Sequence, residues 1–434
     1  MTASTCSRAR LSAPARVLIA LALGGLLGLL LALWDPAAAV HVADMVQPIG
    51  RLWLNALQMT VVPLVAALVV AGVNSASDAA ASGRTARRAI TVFVVLLLVS
   101  AGFAAAVAPA ALSLLPRDAA LLESLRAAFS GPHAAATPAG IGDWLVGVIP
   151  SNAIAAAAAT AMLPLVVFSM FFGFALSRID GERRQRMLEL VQAVIDIMVV
   201  IVRWVLWAAP IGVFALMFAV CARVGLDMLT ALGWYIVLLC CLHLAVTALM
   251  YVVIALAGNE PVRRFAVAIL PAQTIALSTQ SSLASLPAMV ESARARLGYP
   301  LAVASLVLPM AVSLFRLTSP VQYMTVAAFV AWIYGIDLGV GQLVAGAALA
   351  AVISMGSVGL PGQVSFMATN MPVAQAMGLP TEPLGILLAV DTVPDMFATL
   401  GNVTADLTAT SVVTRQSRDD PAVTSGDGDG DGVA

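Results

Sequence analysis

Long apolar blocks recur along this 434-residue chain, and they constrain its fold more than any other feature. A helix needs roughly 20 residues to cross a hydrocarbon layer about 30 Å thick. Hydrophobic residues make up 61% of the chain and charged residues 10%, against about 25% charged residues in a soluble domain. Helices are the expected spanning form, so the sequence predicts an all-α polytopic membrane protein. Six blocks precede residue 259, at residues 17–33, 52–73, 89–115, 162–176, 195–220 and 234–257.

Arginine clusters fall where alternating spans would place cytoplasmic loops, which are enriched in basic residues. The segment 116–143, rich in Ala, Pro and Gly, falls on the opposite side. We therefore expect a multi-pass protein of the bacterial-type inner membrane with both termini in the cytoplasm. The clustered arginines are Arg8, Arg10, Arg16, Arg84, Arg87, Arg88, Arg178, Arg183, Arg184, Arg186, Arg263, Arg264, Arg415 and Arg418.

The first apolar block leaves one alternative open, because a cleaved signal peptide also has arginines before an apolar core. A retained span is favoured, since this core is longer than the usual signal-peptide core and a second span follows at once. Whether residues 1–39 are retained stays open. The formal net charge of −1 and basic clusters that abut apolar blocks indicate the lipid bilayer, and no nucleic acid, as partner. The four cysteines form no spaced metal pattern, and no covalent cofactor is expected.

Two apolar segments beyond residue 259 are interrupted by small and polar residues, at residues 278–287 and 354–362. Arginines flank the first and no basic residue flanks the second. Each is predicted to be a re-entrant helical hairpin, the first open to the cytoplasm and the second to the outside. Irregular backbone at membrane depth must be buried in protein or line a polar cavity, and such paired breaks point to a substrate site.

The last predicted helix, about residues 384–413, carries polar residues on one face. Relative to the first of them, they lie at about 0°, 40°, 80°, 20° and 60° around a continuous helix. Carboxylates at membrane depth cost on the order of 2.5 to 3.5 kcal/mol each on the insertion scale, so they should face cations, donors or water. The stripe comprises Asp391, Asp395, Thr399, Asn402 and Asp406.

Several motifs resemble the dicarboxylate/amino acid:cation symporter family, the glutamate-transporter family, over nearly the whole chain. They are residues 395–396 with residues 402–406, the predicted hairpin tip at residues 359–362, and residues 209–214. The resemblance implies eight transmembrane helices, two re-entrant hairpins and a homotrimer with an elevator mechanism. Residues 1–258 would hold spans 1–6, of which spans 1, 2, 4 and 5 form the scaffold and spans 3 and 6 join the transport domain. Residues 259–414 would form the core transport domain, and residues 415–434 a disordered cytoplasmic tail.

The resemblance also implies roles at the site. Asp395 would bind a substrate α-amino group and Asn402 its α-carboxylate, and Thr399 lies on the same stripe. The hairpin tips would complete the substrate site with Ser281, Ser282 and Gly359. The coupling ion would be Na⁺ or H⁺. The sodium ligands that the resemblance implies, as side chains or nearby carbonyl groups, are Asp406, Asn402, Asp391, Ser313, Ser354 and Ser357.

The sequence departs from the family at one cation site and at the specificity positions. The family's Asn-Met-Asp-Gly-Thr aligns with residues 315–319, Phe-Arg-Leu-Thr-Ser, so both ligand side chains are absent. Two further ligands align with Leu96 and Val99, while Ser100 is kept. We therefore predict that one sodium site is lost. The arginine that clamps acidic substrates in the family aligns with Ala398.

Arginine positions used by other relatives align with Gln280 and Met396, which are also neutral. Arg316 would then be either an internal replacement for the lost cation or a partner for a substrate carboxylate. The predicted solute is an amino acid or a dicarboxylate.

Two other functional classes compete with symport. A channel-like or solute-sensing relative of the same fold would bind a solute without concentrating it. A membrane enzyme that uses the aspartates is disfavoured, because none of His41, His133 and His243 is expected to accompany the stripe.

Overall fold

The computed structural model describes residues 13–81, 83–114, 146, 148–224, 226–356 and 362–418, and these residues form helices and turns without a strand. The all-α prediction is confirmed over this part of the chain. The helices are α1 (Ala13–Trp34), α2 (Pro36–Gln58), α3 (Val61–Ala81), α4 (Arg84–Ser113), α5 (Ala153–Ala158), α6 (Met162–Leu176), α7 (Gly181–Trp207), α8 (Ala209–Val224), α9 (Leu226–Ala257), α10 (Val262–Thr279), α11 (Ser282–Glu291), a π-helical turn (Ser292–Arg296), α12 (Leu301–Leu314), α13 (Ser319–Tyr334), α14 (Val340–Gly356), α15 (Gly362–Ala376), α16 (Leu384–Val390) and α17 (Thr392–Arg418).

Many of these helices are apolar enough for a bilayer. In the described ranges, five segments are both long and apolar enough to cross a membrane, or six if the bent pair α16 and α17 counts as one span. Four further apolar helices are shorter. The number of eight spans and their orientation therefore remain predictions. The five segments are Pro36–Asp78, Arg84–Ser113, Gly181–Trp207, Leu229–Ala257 and Leu301–Tyr334.

The first half is built on close helix packing. Helix α8 packs against α1 and α2, and α3 packs against α6 and α7. Gly24 and Gly28 let α1 approach the backbone of α8, since a Cβ atom would lie 2.7 Å from the Phe214 carbonyl oxygen and 2.5 Å from that of Phe218. Small residues four apart allow such contacts between membrane helices.

Helix α17 lies at the centre of the second half, packed against α4, α9, α10 and α12. Helices α10 and α11 form a hairpin with a two-residue turn. Gln280 is in the left-handed region (φ 52°), and the Ser281 side chain caps α11 by accepting from the Ala284 amide. Helices α14 and α15 also pack together. Their connection at residues 357–361, with Ser357 and Gly359, lies outside the described residues, as do segment 116–143, most of the tail, Arg8 and Arg10. Arg16 lies in α1.

The prediction of one continuous helix over residues 384–413 is wrong. The chain breaks at Asp391, and α16 and α17 are bent by 71°. Pro394 accounts for the break, because a proline ring clashes with the carbonyl four residues earlier, here that of Val390. Asp391 therefore lies at the bend. The angle calculated for it around a continuous helix does not describe its position.

Candidate functional site

An interruption between α12 and α13 meets the polar face of α17. Residues 315–318 lie between the two helices, and Thr318 is buried there. The Thr318 amide donates to Asn402 Oδ1 at 3.0 Å. The Thr318 hydroxyl lies 3.0 Å from both Asn402 Oδ1 and the Ala398 carbonyl oxygen. These hydrogen bonds fix the side-chain amide of Asn402 through its oxygen. Its Nδ2 group is left as a donor for a ligand.

A small polar cavity lies beside this contact. It brings together four residues singled out from the sequence, Asp395, Ala398, Asn402 and Arg316. Its volume is about 20 Å³, enough for about one water molecule, so a solute requires the surrounding helices to separate. The other lining residues are Thr318, Ser319, Gln322, Tyr323, Ser365, Phe366 and Thr369.

Asp391 does not line the cavity but is linked to it. Its side chain is 1% exposed, and its Oδ1 accepts from Gln322 Nε2 at 2.9 Å. Gln322 lines the cavity. Asp391 therefore orients a cavity residue from behind, which the helical periodicity of the sequence could not reveal.

Asp406 is buried one turn below Asn402 and is 1% exposed. Within the described ranges neither of its carboxylate oxygens has a hydrogen-bond partner. Arg316 acts electrostatically on both Asp395 and Asp406. A buried carboxyl group without hydrogen bonds is neutralised by a nearby cation or by a bound proton, and either fits the predicted role of Asp406 in binding the coupling ion. No cluster of three His, Cys, Asp or Glu side chains suited to a metal occurs in the part of the chain that the structure describes.

The tip of the first hairpin touches the start of α17. Gln280 Nε2 lies 3.4 Å from the Thr392 carbonyl oxygen. Ser282 is 8% exposed, and its hydroxyl has no hydrogen-bond partner among the described residues. Ser281 and Ser282 do not line the small cavity as it stands.

Three predicted site residues donate their side-chain hydroxyl groups to carbonyl oxygens of their own helices. The Thr399 hydroxyl donates to the Asp395 carbonyl oxygen at 2.9 Å. The hydroxyl groups of Ser313 and Ser354 donate to carbonyl groups one turn earlier, at 2.8 and 2.7 Å. Ser313 is exposed and Ser354 is buried. A hydroxyl group that donates its hydrogen still has oxygen lone pairs for a cation or a solute.

The cation site that the sequence predicts to be lost is filled by apolar side chains. Phe315 stacks on Phe93 with ring centroids 4.8 Å apart, and Leu317 is fully buried. The Ser100 hydroxyl donates to the Leu317 carbonyl oxygen at 2.6 Å. Of the two other aligned positions, Leu96 is buried and Val99 is 47% exposed.

His243 is a site residue that the sequence reasoning missed. It lies on α9, is completely buried, and is beside the backbone at Thr318 and Pro394. Neither ring nitrogen makes a well-formed hydrogen bond to the described residues. The expectation that no histidine accompanies the stripe is wrong for His243. An ionisable residue inside an apolar span is itself a functional signal, and it could have identified this position.

Comparison with known proteins adds independent information. The model of the sodium:dicarboxylate symporter family matches residues 14–416. The chain is 29% identical over 410 residues to the proton/glutamate-aspartate symporter of Escherichia coli K12, covering 92% of each chain. It is 28% identical over 385 residues to the proton/sodium-glutamate symport protein of Bacillus caldotenax, covering 86% of this chain and 88% of the relative. It is 28% identical over 418 residues to C4-dicarboxylate transport protein 2 of Ralstonia nicotianae, covering 93% and 89%.

Proposed function

Because this chain belongs to the sodium:dicarboxylate symporter family, we propose that it carries an amino acid or a dicarboxylate across the inner membrane by cation-coupled symport. It is a transport protein and not an enzyme, as its family and its named relatives are. The relatives are named for protons or for protons and sodium, and either ion is a candidate here. The observation that carries the proposal is the polar cavity at Asp395 and Asn402 within a chain of apolar helices.

The solute lies between the hairpin tips and α17 in this proposal. The Asp395 carboxylate binds an ammonium group, and Asn402 Nδ2 binds a carboxylate. Ser281, Ser282 and Gly359 contribute from the hairpin tips. The cavity of about 20 Å³ has to widen for a solute to bind at Asp395 and Asn402.

Arg316 replaces one lost cation. This proposal is supported by the electrostatic influence of Arg316 on both Asp395 and Asp406 and by the apolar packing of Phe93 and Phe315. Arg316 also lines the cavity beside Ala398. In a competing assignment, the Arg316 guanidinium group binds a substrate carboxylate with two hydrogen bonds.

The transport domain comprises the elements packed around α17. Helices α4, α9, α10 and α12 contact it, which supports assigning spans 3 and 6 to the moving part with residues 259–414. The scaffold comes from the remaining spans of residues 1–258. Three copies assemble, and the transport domain moves as an elevator with both termini in the cytoplasm.

A thermal-shift screen of the purified protein tests the solute class. Aspartate, glutamate, serine, succinate and fumarate are each added with and without sodium. A solute that binds the folded state raises the melting temperature. Stabilisation by one or more of these solutes, absent in Asn402→Ala, is the expected result. Equal melting temperatures under all conditions contradict the proposed solute class.

A further inference from the structure

A second cavity lies at the base of the first hairpin, outside the site described above. Its volume is about 470 Å³, far larger than the closed polar cavity. Three arginines and no acidic residue line it among the described residues. Its lining residues are Pro261, Arg263, Arg264, Val267, Ala268 and Arg296.

One of the three guanidinium groups is held by the backbone. Arg264 Nη2 donates to the carbonyl oxygens of Arg296 and Leu297 at 3.3 and 3.4 Å, where the π-helical turn ends. The ion pairs found in the described ranges belong to other arginines. In the described ranges no carboxylate forms an ion pair with Arg263, Arg264 or Arg296, and their positive charge suits an anionic ligand.

The cavity is level with the end of a membrane span. Arg263 lies six residues beyond Ala257, where the apolar segment Leu229–Ala257 ends. Arg415 Nη1 donates to the carbonyl oxygens of Leu256 and Gly258 at 3.2 Å, which places a fourth guanidinium group at this level. Arginines at the end of an apolar span mark the boundary between hydrocarbon and headgroups.

An apolar stripe continues from the arginines along α10. Val267 and Leu270 follow Arg263 at spacings that keep all three on one helix face. They are 57% and 53% exposed. The surface thus presents guanidinium groups first and exposed aliphatic groups next, in the order of a phospholipid headgroup and its acyl chain. A free phosphate ion would contact only the guanidinium groups.

We propose that this cavity binds the headgroup of an anionic phospholipid. The phosphate accepts charge-assisted hydrogen bonds from Arg263 and Arg296, and an acyl chain lies along Val267 and Leu270. Basic pockets between helices at the cytoplasmic side are known to recognise anionic headgroups. The bound lipid would hold the base of the first hairpin at the membrane surface.

Lipid titration of the full-length protein followed by native mass spectrometry tests this proposal. Phosphatidylglycerol is compared with phosphatidylcholine, and inorganic phosphate is added as a competitor. Loss of charge-assisted hydrogen bonds should weaken phosphatidylglycerol binding about tenfold in Arg263→Gln/Arg296→Gln. The matched control is Arg294→Gln, an exposed arginine of the same turn that does not line the cavity, and it should bind like the wild type. Melting curves of the double variant and of Arg294→Gln verify that each protein is folded.

Three outcomes overturn the proposal. Equal retention of the two lipids shows no preference for an anionic headgroup. An equal loss in Arg294→Gln shows a general effect of surface charge. Displacement of the lipid by inorganic phosphate at equal concentration shows a free-anion site. The measurement needs no transported solute, so failure of the proposed transport function would leave its result interpretable.

Discussion

Asp395 is the only carboxylate among the described residues that line the polar cavity. If it binds the ammonium group of the solute, Asp395→Asn removes one partner of a buried charge pair, which typically costs about 3 to 5 kcal/mol. We expect solute affinity to fall by more than about a hundredfold in a binding titration. Asp196→Asn, at an exposed position of α7, is the control and should bind normally. Normal binding by Asp395→Asn would contradict the assignment of an amino-bearing solute.

Arg316 distinguishes two accounts of the missing cation. If it replaces sodium, Arg316→Met combined with Leu317→Asp and Phe315→Asn should make initial uptake depend more steeply on sodium, because oxygen ligands return as the fixed charge leaves. If it grips a substrate carboxylate, Arg316→Met alone should lower affinity at every sodium concentration. Initial uptake measured against sodium in both variants separates these outcomes. Unchanged sodium dependence in the triple variant would rule out the replacement.

The individual site residues were predictable only in part. Asp395, Ala398 and Asn402 share a face of one helix, and spacing along that helix brings them together without knowledge of the fold. Gln322 lines the cavity from another helix, and His243 lies on α9 beside the backbone of Thr318 and Pro394. Tertiary packing sets the rotation of these helices about their axes. Arg316 was singled out because it stands in the family motif whose ligand side chains are absent, and the structure places it in the cavity.

At the scale of elements, the contact between α9 and α17 depends on Gly401. A Cβ atom there would lie 2.5 Å from Thr318 Cγ2 and 2.6 Å from Thr247 Oγ1. Both are short β-branched side chains that cannot move aside easily. Gly401→Ala should therefore destabilise the protein by about 1 to 3 kcal/mol through overpacking, and should also displace Thr318 from Asn402.

Melting temperature and solute affinity check this prediction together. Gly102→Ala in α4 is the matched control, since a Cβ atom at Gly102 would meet nothing within 4 Å. Its melting temperature should stay equal or rise slightly, because alanine favours a helix more than glycine does. If Gly401→Ala melts and binds like Gly102→Ala, then Thr318 is not held by this helix contact.

The sequence predicted the presence of a helix more readily than whether that helix continues without a break. Apolar blocks predicted where helices lie, but the block at residues 195–220 divides at Ala208 between α7 and α8. The segment that contains the block at residues 52–73 divides between α2 and α3. Hydropathy does not register such breaks, whereas Pro394 gives a local steric reason for the bend at Asp391. The turn of the first hairpin was predictable because small and polar residues interrupt an otherwise apolar run.

At the scale of the whole molecule, helices that are far apart in the sequence pack against each other. Helices α4 and α9 belong to the first 258 residues yet pack on α17, and periodicity alone gives no indication of this. The family resemblance supplied it as an expectation. The assignment of these helices to a moving transport domain is part of the proposal that solute moves with the domain rather than through a fixed pore.

Solute accumulation tests the central claim of secondary active symport most directly. Purified protein is reconstituted in vesicles, and uptake of labelled aspartate and succinate is followed with an inward sodium gradient, an inward proton gradient or neither. Symport predicts that one solute exceeds its outside concentration under one of the gradients, and that an ionophore that dissipates the gradient abolishes the excess. Asn402→Ala should show neither uptake nor accumulation. Uptake that stops at equal concentrations on both sides under every gradient would contradict the claim and indicate a channel-like or sensing relative.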